Sequence, residues 1–176
     1  MKKFLLASVA IAVMATPAFA QTAAEKTGVN STLGIAPKTE DFVKEVAISD
    51  MFEIESSKFA QAKAKGPVKD FAAKMVSDHT KTSGELKSMV SAGKVKAPLP
   101  SALDSGHQSK LDKLKSLNGD DFTKQYESDQ VSAHKDAVNL FERYSKGGDN
   151  ADLKGWAGKT LPALQMHLKM AQDLKQ

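Results

Sequence analysis

Apolar residues recur every three or four positions along most of the chain after about residue 39. This spacing places the apolar side chains of each segment on one face of an α-helix. Two of these stripes are long, and each contains a histidine: Val68, Phe71, Ala72, Met75, His79, Leu86 and Val90 in one, and Leu153, Trp156, Ala157, Leu164, His167, Ala171 and Leu174 in the other. The period of two that is typical of strands is absent, so the pattern predicts an all-α fold.

Turn-forming residues divide this pattern into four long helices. Gly66-Pro67 ends the first helix and begins the second, since proline is tolerated in the first helical turn. Gly147-Gly148 separates the third helix from the fourth. The predicted helices span about 39–65, 67–92, 120–146 and 151–174, with a shorter amphipathic piece between 102 and 117.

These boundaries predict two tight helical hairpins joined by a long connection. Such a chain fits a four-helix bundle with one long crossover, which is the ferritin-like arrangement. Pro162 lies inside the fourth helical segment, where it removes one backbone hydrogen bond and presses against the carbonyl group of Gly158. The sequence therefore predicts a kink or a break of the fourth helix at this position.

The first 20 residues have the pattern of a secretory signal peptide. Lys2 and Lys3 precede a short apolar run, and Ala18-Phe19-Ala20 forms a small-x-small cleavage site. The apolar run is shorter than the roughly 20 residues that span a bilayer. We expect cleavage after Ala20, a flexible leader over residues 21–37, a bundle domain over residues 38–176, and a periplasmic or secreted mature protein without a transmembrane segment.

The charge and the composition exclude several classes of function. The chain has 25 Lys+Arg and 21 Asp+Glu, and loss of Lys2 and Lys3 leaves 23 against 21, a net charge of +2. This near neutrality argues against nucleic-acid binding, which needs a basic stripe to neutralise phosphates. The chain has no cysteine, so disulfides, thiolate metal ligands and thiol nucleophiles are excluded.

Several short pieces between residues 41 and 174 resemble a known family. They are Glu53-Ile54-Glu55, Met75-Val76-Ser77-Asp78-His79-Thr80, Tyr126 with Gln130 and His134, and Leu161-Pro162 with Leu164 and His167-Leu168. Together they resemble the exported domain-of-unknown-function 4142 family. The resemblance implies a ferritin-like fold and implies no particular reaction.

Three of the four histidines lie on the predicted inward stripes of three different helices. In the first hairpin His79 lies about level with Glu53, and in the second His134 and His167 are about four residues apart along the axis, near 6 Å. Glu53, His79, His134 and His167 are thus predicted near the middle of the bundle, one from each helix. Bundle proteins build metal sites from this arrangement.

Glu55 is a second candidate for the inward carboxylate of the first helix. It lies about 200° around the helix from Glu53, so the two glutamates cannot act on one substrate atom. This geometry disfavours a glycosidase mechanism that uses paired carboxylates. The sequence slightly favours Glu53 and does not decide between them.

The histidines have two interpretations. The sequence favours a structural one, in which each ring donates a hydrogen bond to a nearby core group, with Asp78, Tyr126, Asp129 and Gln130 available as partners. The alternative is a single transition metal ion such as zinc, copper, nickel or iron, rather than calcium. A di-iron site is disfavoured, because the Glu-x-x-His motif is missing at all three histidines.

The predicted function is that of an exported helical bundle that acts in the cell envelope by binding or interaction, without catalysis. An envelope protein or a second copy of the chain remains open as its partner. The alternative function is metal binding by the three histidines and Glu53, with the metal as the sole candidate cofactor. His107 is expected to face solvent, and no phosphate loop, nucleophile elbow or His-Glu-x-x-His helix predicts a catalytic residue.

Overall fold

The computed structural model describes residues 28–174, so the predicted signal peptide and the start of the predicted leader lie outside the described residues. The helices are α1 (Val29–Thr32), α2 (Thr39–Lys63), α3 (Gly66–Ser91), α4 (Ser105–Ser116), α5 (Gly119–Gly147) and α6 (Ala151–Leu174). No strand occurs between residues 28 and 174, and the predicted all-α fold is confirmed. In this same range no helix combines the length and the apolarity needed to cross a membrane.

The four long helices form two hairpins, α2 with α3 and α5 with α6. Gly66, between α2 and α3, has a φ of 54°, a left-handed conformation that glycine adopts without steric cost. The long connection between the hairpins contains α4, which packs against both α2 and α5. The connection crosses over, so that α3 packs on α6 and α2 on α5. This is the ferritin-like bundle that the sequence predicts.

The apolar core consists of two clusters separated by a polar belt. Phe42, Phe141 and Tyr144 belong to one cluster, in which the rings of Phe42 and Tyr144 stack at 4.0 Å. Phe71 and Met75 belong to the other. The polar belt lies between the clusters along each long helix and consists of Glu53, His79, Gln130, His134 and His167, all buried. Packing on both sides holds these polar groups away from water.

The described part of the predicted leader contacts the bundle. Residues 28–37 contain α1, and the hydroxyl group of Ser31 donates a hydrogen bond of 2.9 Å to Oδ1 of Asn139. The guanidinium group of Arg143 donates a hydrogen bond of 2.6 Å to the carbonyl oxygen of Ile35. This stretch of chain is therefore folded against α5, because polar contacts compensate for its shortage of apolar residues.

Helix α6 runs without a break from Ala151 to Leu174, with Pro162 inside it. The predicted break at Pro162 is therefore not seen. Pro162 has no backbone N–H to donate to the carbonyl group of Gly158, so one bond of the helical ladder is missing. Packing of Leu153, Ala157 and Leu164 against the core keeps α6 helical on both sides of this position.

A buried three-histidine cluster as candidate metal centre

His79 on α3, His134 on α5 and His167 on α6 meet in the middle of the bundle. Their exposed fractions are 3%, 1% and 2%. The ring centroids are 5.4 to 5.7 Å apart, and one nitrogen of each ring lies within 4.8 Å of one nitrogen of each of the others. The structure thus brings together the three histidines that the sequence places on inward stripes. We call them the histidine cluster.

Two rings of the histidine cluster bond outward to carboxylates. Nδ1 of His79 lies 2.7 Å from Oδ1 of Asp50 on α2. Nε2 of His167 lies 2.8 Å from Oδ2 of Asp78 on α3. A carboxylate behind an imidazole fixes the orientation of the ring and raises its basicity, as in carboxylate–histidine–metal triads.

The third ring bonds to the backbone. Nδ1 of His134 lies 2.9 Å from the carbonyl oxygen of Gln130, one helical turn earlier. Carbonyl and carboxylate oxygens only accept hydrogen bonds, so the bonded nitrogen of each ring carries the proton. The other nitrogens, Nε2 of His79, Nε2 of His134 and Nδ1 of His167, are buried and have no hydrogen-bond partner among residues 28–174. In a neutral ring each of these nitrogens presents a lone pair.

The charge states of the rings differ. Burial, together with the nearby His79, lowers the pKa of His134 to about 3. Burial also lowers the pKa of His167, although the hydrogen bond to Asp78 opposes this. Burial disfavours the charged form of His79 too, but the hydrogen bond and the charge of Asp50 raise its pKa above the usual value. His79 is therefore the most basic of the three rings.

Glu53 lies beside the histidine cluster on α2, with an exposed fraction of 1%. Neither of its carboxylate oxygens forms a well-aligned hydrogen bond with a described residue. Burial raises the pKa of Glu53 to about 7, against the opposing influence of His79 and of the Gln130 amide. Its oxygens do not belong to the set of ligand atoms within 4.8 Å of one another, which contains the three histidines alone.

Glu55 faces the opposite way from Glu53. Its side chain is 47% exposed and forms an ion pair of 2.7 Å with Lys58 on the same helix. The structure therefore answers the question that the sequence leaves open, and Glu53 is the inward carboxylate.

The position of His107 differs from the sequence prediction. Its side chain is 26% exposed rather than solvated, and its ring packs on Phe52 with centroids 5.6 Å apart. The prediction was wrong because α4 packs over α2, which brings the first turn of α4 against the core. Nδ1 of His107 bonds to Oδ1 of Asp104 at 2.9 Å. His107 lies outside the histidine cluster.

Residues 20–174 match the family described as "Domain of unknown function (DUF4142)". The chain belongs to this family. The match confirms the resemblance found in the sequence and covers the whole histidine cluster together with Asp50, Asp78 and Gln130. Comparison with curated proteins and with solved structures gives no match. The description of DUF4142 names no reaction and no ligand.

The donor set of this DUF4142 protein fits a transition metal ion. Three imidazoles, each bonded outward through its protonated nitrogen, suit zinc, copper, nickel or iron. Metal–nitrogen bonds of about 2.0–2.1 Å hold tetrahedral ligand nitrogens about 3.3 Å apart, so the rings have to move together by on the order of 1 Å. Three protein ligands leave one coordination position open.

Proposed function

We propose that this protein binds a single transition metal ion through His79, His134 and His167. The observation that carries the proposal is the convergence of three buried nitrogen lone pairs, each fixed by a hydrogen bond on the other side of its ring. Lone pairs cannot donate hydrogen bonds to one another, so the histidine cluster contains acceptors that require a cation or a donor.

The same observation favours metal binding over a purely structural role. A buried polar atom without a partner costs about 1–3 kcal/mol, and native cores keep such atoms rare. Here three ring nitrogens and both oxygens of Glu53 lack a partner in one small region of the described structure. One bound cation stabilises the three ring nitrogens together.

The ligand types favour a divalent ion such as zinc over copper(I). Copper(I) prefers thiolate and thioether ligands, and the chain has no cysteine. Met166, one of the methionines nearest to His167 in sequence, is 45% exposed, and Met170 packs against the second apolar cluster. Imidazole nitrogens are therefore the principal donors that this site offers.

Binding of the metal in the cell envelope, without an assigned reaction, is the role that we propose. The signal-peptide pattern supports export, and the family match begins at residue 20, beside the predicted cleavage site. An interaction module is a second candidate with less support. Among the described residues the exposed large apolar side chains are Leu33, Ile35 and Met166, which is fewer than a protein-binding patch normally presents.

Elemental analysis of the untagged protein purified from the periplasm tests the proposal. We expect about one metal ion per chain after incubation with excess Zn²⁺ and desalting, and less than about 0.1 in His134→Ala. His107→Ala is the matched control, because it removes a histidine outside the cluster and should leave the metal content unchanged. Circular dichroism verifies that each variant is folded. A wild-type protein that retains less than about 0.1 Zn²⁺, Co²⁺, Ni²⁺ or Cu²⁺ per chain would overturn the proposal.

A further inference from the structure

A cavity of about 350 Å³ lies between α2 and α5, next to the histidine cluster. We call it the α2–α5 cavity. His107 and Lys110 of α4 line one part of it, and Ser31 of α1 lines another. Its apolar wall consists of Val46, Phe52, Ala137, Leu140, Phe141 and Leu164.

The α2–α5 cavity reaches the proposed metal centre at His79. Of the three cluster histidines, His79 lines this cavity, and so does its hydrogen-bond partner Asp50. His79 is 3% exposed, and its Nε2 has no hydrogen-bond partner in the described structure. One buried ring of the histidine cluster, together with Asp50, is thus adjacent to a space large enough to hold a solute.

The size and the chemistry of the α2–α5 cavity suit a hydrated cation. An ion with six waters occupies roughly 200 Å³, since each water takes about 30 Å³, so it fits within the cavity. Carboxylates lie on both walls, Glu45 and Asp50 on α2 and Asp136 on α5. Two cations, Lys110 and Arg143, also line the cavity, but Arg143 donates hydrogen bonds to Asn139 and to the carbonyl group of Ile35. Oxygen ligands of this kind favour a hydrated divalent ion.

The opposite face of the bundle offers a cation a less favourable route to the histidine cluster. There His167 is covered by Asp78, whose Oδ2 bonds both to the ring and to Nζ of Lys74 at 2.9 Å. This ion pair covers the outer side of His167. Along the bundle axis, the two apolar clusters close the histidine cluster from both ends.

We propose that a hydrated divalent transition-metal ion reaches the histidine cluster through the α2–α5 cavity and meets His79 first. This inference rests on the metal binding proposed above. The carboxylate of Asp136 attracts the ion, and the ion loses waters as it passes from the oxygen-lined wall to the imidazole nitrogens. The α2–α5 cavity therefore governs the rate of metal uptake, whereas the histidine cluster governs the affinity.

Filling the cavity tests this inference. Ala137 lines the cavity on α5, and Ala137→Phe places a ring in the path. We expect Zn²⁺ uptake, followed by stopped flow with a chromophoric chelator, to slow at least tenfold, while the final metal content stays at the wild-type value. Ala73→Phe is the matched control, since Ala73 is exposed on α3 and does not line the cavity. Uptake by Ala137→Phe at the wild-type rate would overturn the inference.

A charge substitution provides a second test that leaves the packing intact. We expect Asp136→Asn to slow Zn²⁺ uptake about threefold to tenfold at low ionic strength, with a smaller difference at high salt because the attraction is screened. Asp121→Asn removes an exposed carboxylate at the start of α5 and should leave the rate unchanged. Equal rates for Asp136→Asn and wild type would contradict the inference while leaving metal binding intact. A wild-type protein that binds no metal at equilibrium would overturn both proposals.

Discussion

His79 and Asp50 are joined by a hydrogen bond of 2.7 Å between Nδ1 and Oδ1, and both residues are buried. The second carboxylate oxygen of Asp50 accepts hydrogen bonds from the hydroxyl groups of Thr82 and Ser83, at 2.9 and 3.0 Å. The carboxylate is therefore held from two sides by α3. Because Asp50 fixes the proton of the neutral ring on Nδ1, it is Nε2 of His79 that can present a lone pair to a metal.

Asp50→Asn should weaken Zn²⁺ binding by about tenfold to a hundredfold, which is the usual effect of losing such a partner of a metal-bound histidine. Competition with a chelator of known affinity measures the change. Asp104→Asn is the control, because it removes the carboxylate that bonds to His107 outside the cluster. An unchanged affinity in Asp50→Asn would show that the orientation of His79 does not contribute to binding.

Glu53 makes the metal-free protein less stable as the pH rises. Burial raises its pKa from 4.5 in the unfolded chain to about 7, so between these values the folded state holds more protons than the unfolded state. The free energy of unfolding therefore falls by on the order of 3 kcal/mol as the pH rises from about 4.5 to about 7. Glu53→Gln should remove this part of the pH dependence in chelator-treated protein.

Urea denaturation at several pH values measures the effect of Glu53→Gln. Glu55→Gln is the matched control, since Glu55 is two residues away, half exposed and paired with Lys58. We expect Glu55→Gln to keep the wild-type slope. If Glu53→Gln also kept it, the carboxyl group of Glu53 would not be buried as described.

Metal binding should release protons. The raised pKa of His79 means that this ring holds a proton at a higher pH than an ordinary histidine, and a metal has to displace that proton. We expect Zn²⁺ binding to release protons, in a number that grows as the pH is lowered, and an affinity that falls with it. Titration in buffers of different ionisation enthalpy measures the number of protons. Binding whose affinity does not change with pH would contradict the raised pKa of His79.

Tyr126 provides a test of the packing in the second apolar cluster, next to the histidine cluster. Its hydroxyl group lies 2.8 Å from Oγ of Ser57, and both residues are fully buried. Tyr126→Phe leaves the Ser57 hydroxyl group without this partner and should lower the free energy of unfolding by about 1–2 kcal/mol. Thermal denaturation measures the loss, and the Zn²⁺ content should not change. A large loss of metal would show that Tyr126 also shapes the histidine cluster.

The helices and the convergence of the histidines could be predicted because strong turn signals delimit the helices. Gly66-Pro67 and Gly147-Gly148 set the two hairpins, and α6 spans the predicted Ala151 to Leu174. Once the hairpins are known, the helical rise fixes which residues are level. The rings of His134 and His167, on two neighbouring helices, lie 5.4 Å apart.

The hydrogen-bond partner of His79 could not be predicted from the helical rise in this way. The turn is centred between Lys63 and Gly66, which places His79 level with Asp50, whereas counting from Gly66-Pro67 places it nearer Glu53. The sequence also could not choose between Glu53 and Glu55. Helix α2 packs against α3, α4 and α5, so its buried residues do not form a single stripe. The α2–α5 cavity is lined by residues from all six helices. No local pattern in the sequence could therefore predict this cavity.

Pro162 gives α6 a mechanical property that the other helices lack. With one bond of its ladder missing, α6 resists bending less than α3 or α5, and His167 lies on the segment just beyond that point. The inward shift of on the order of 1 Å that coordination requires can therefore come from His167. We expect metal binding to draw the end of α6 toward the neighbouring helices. The metal-bound and metal-free proteins should then differ mainly in the curvature of α6.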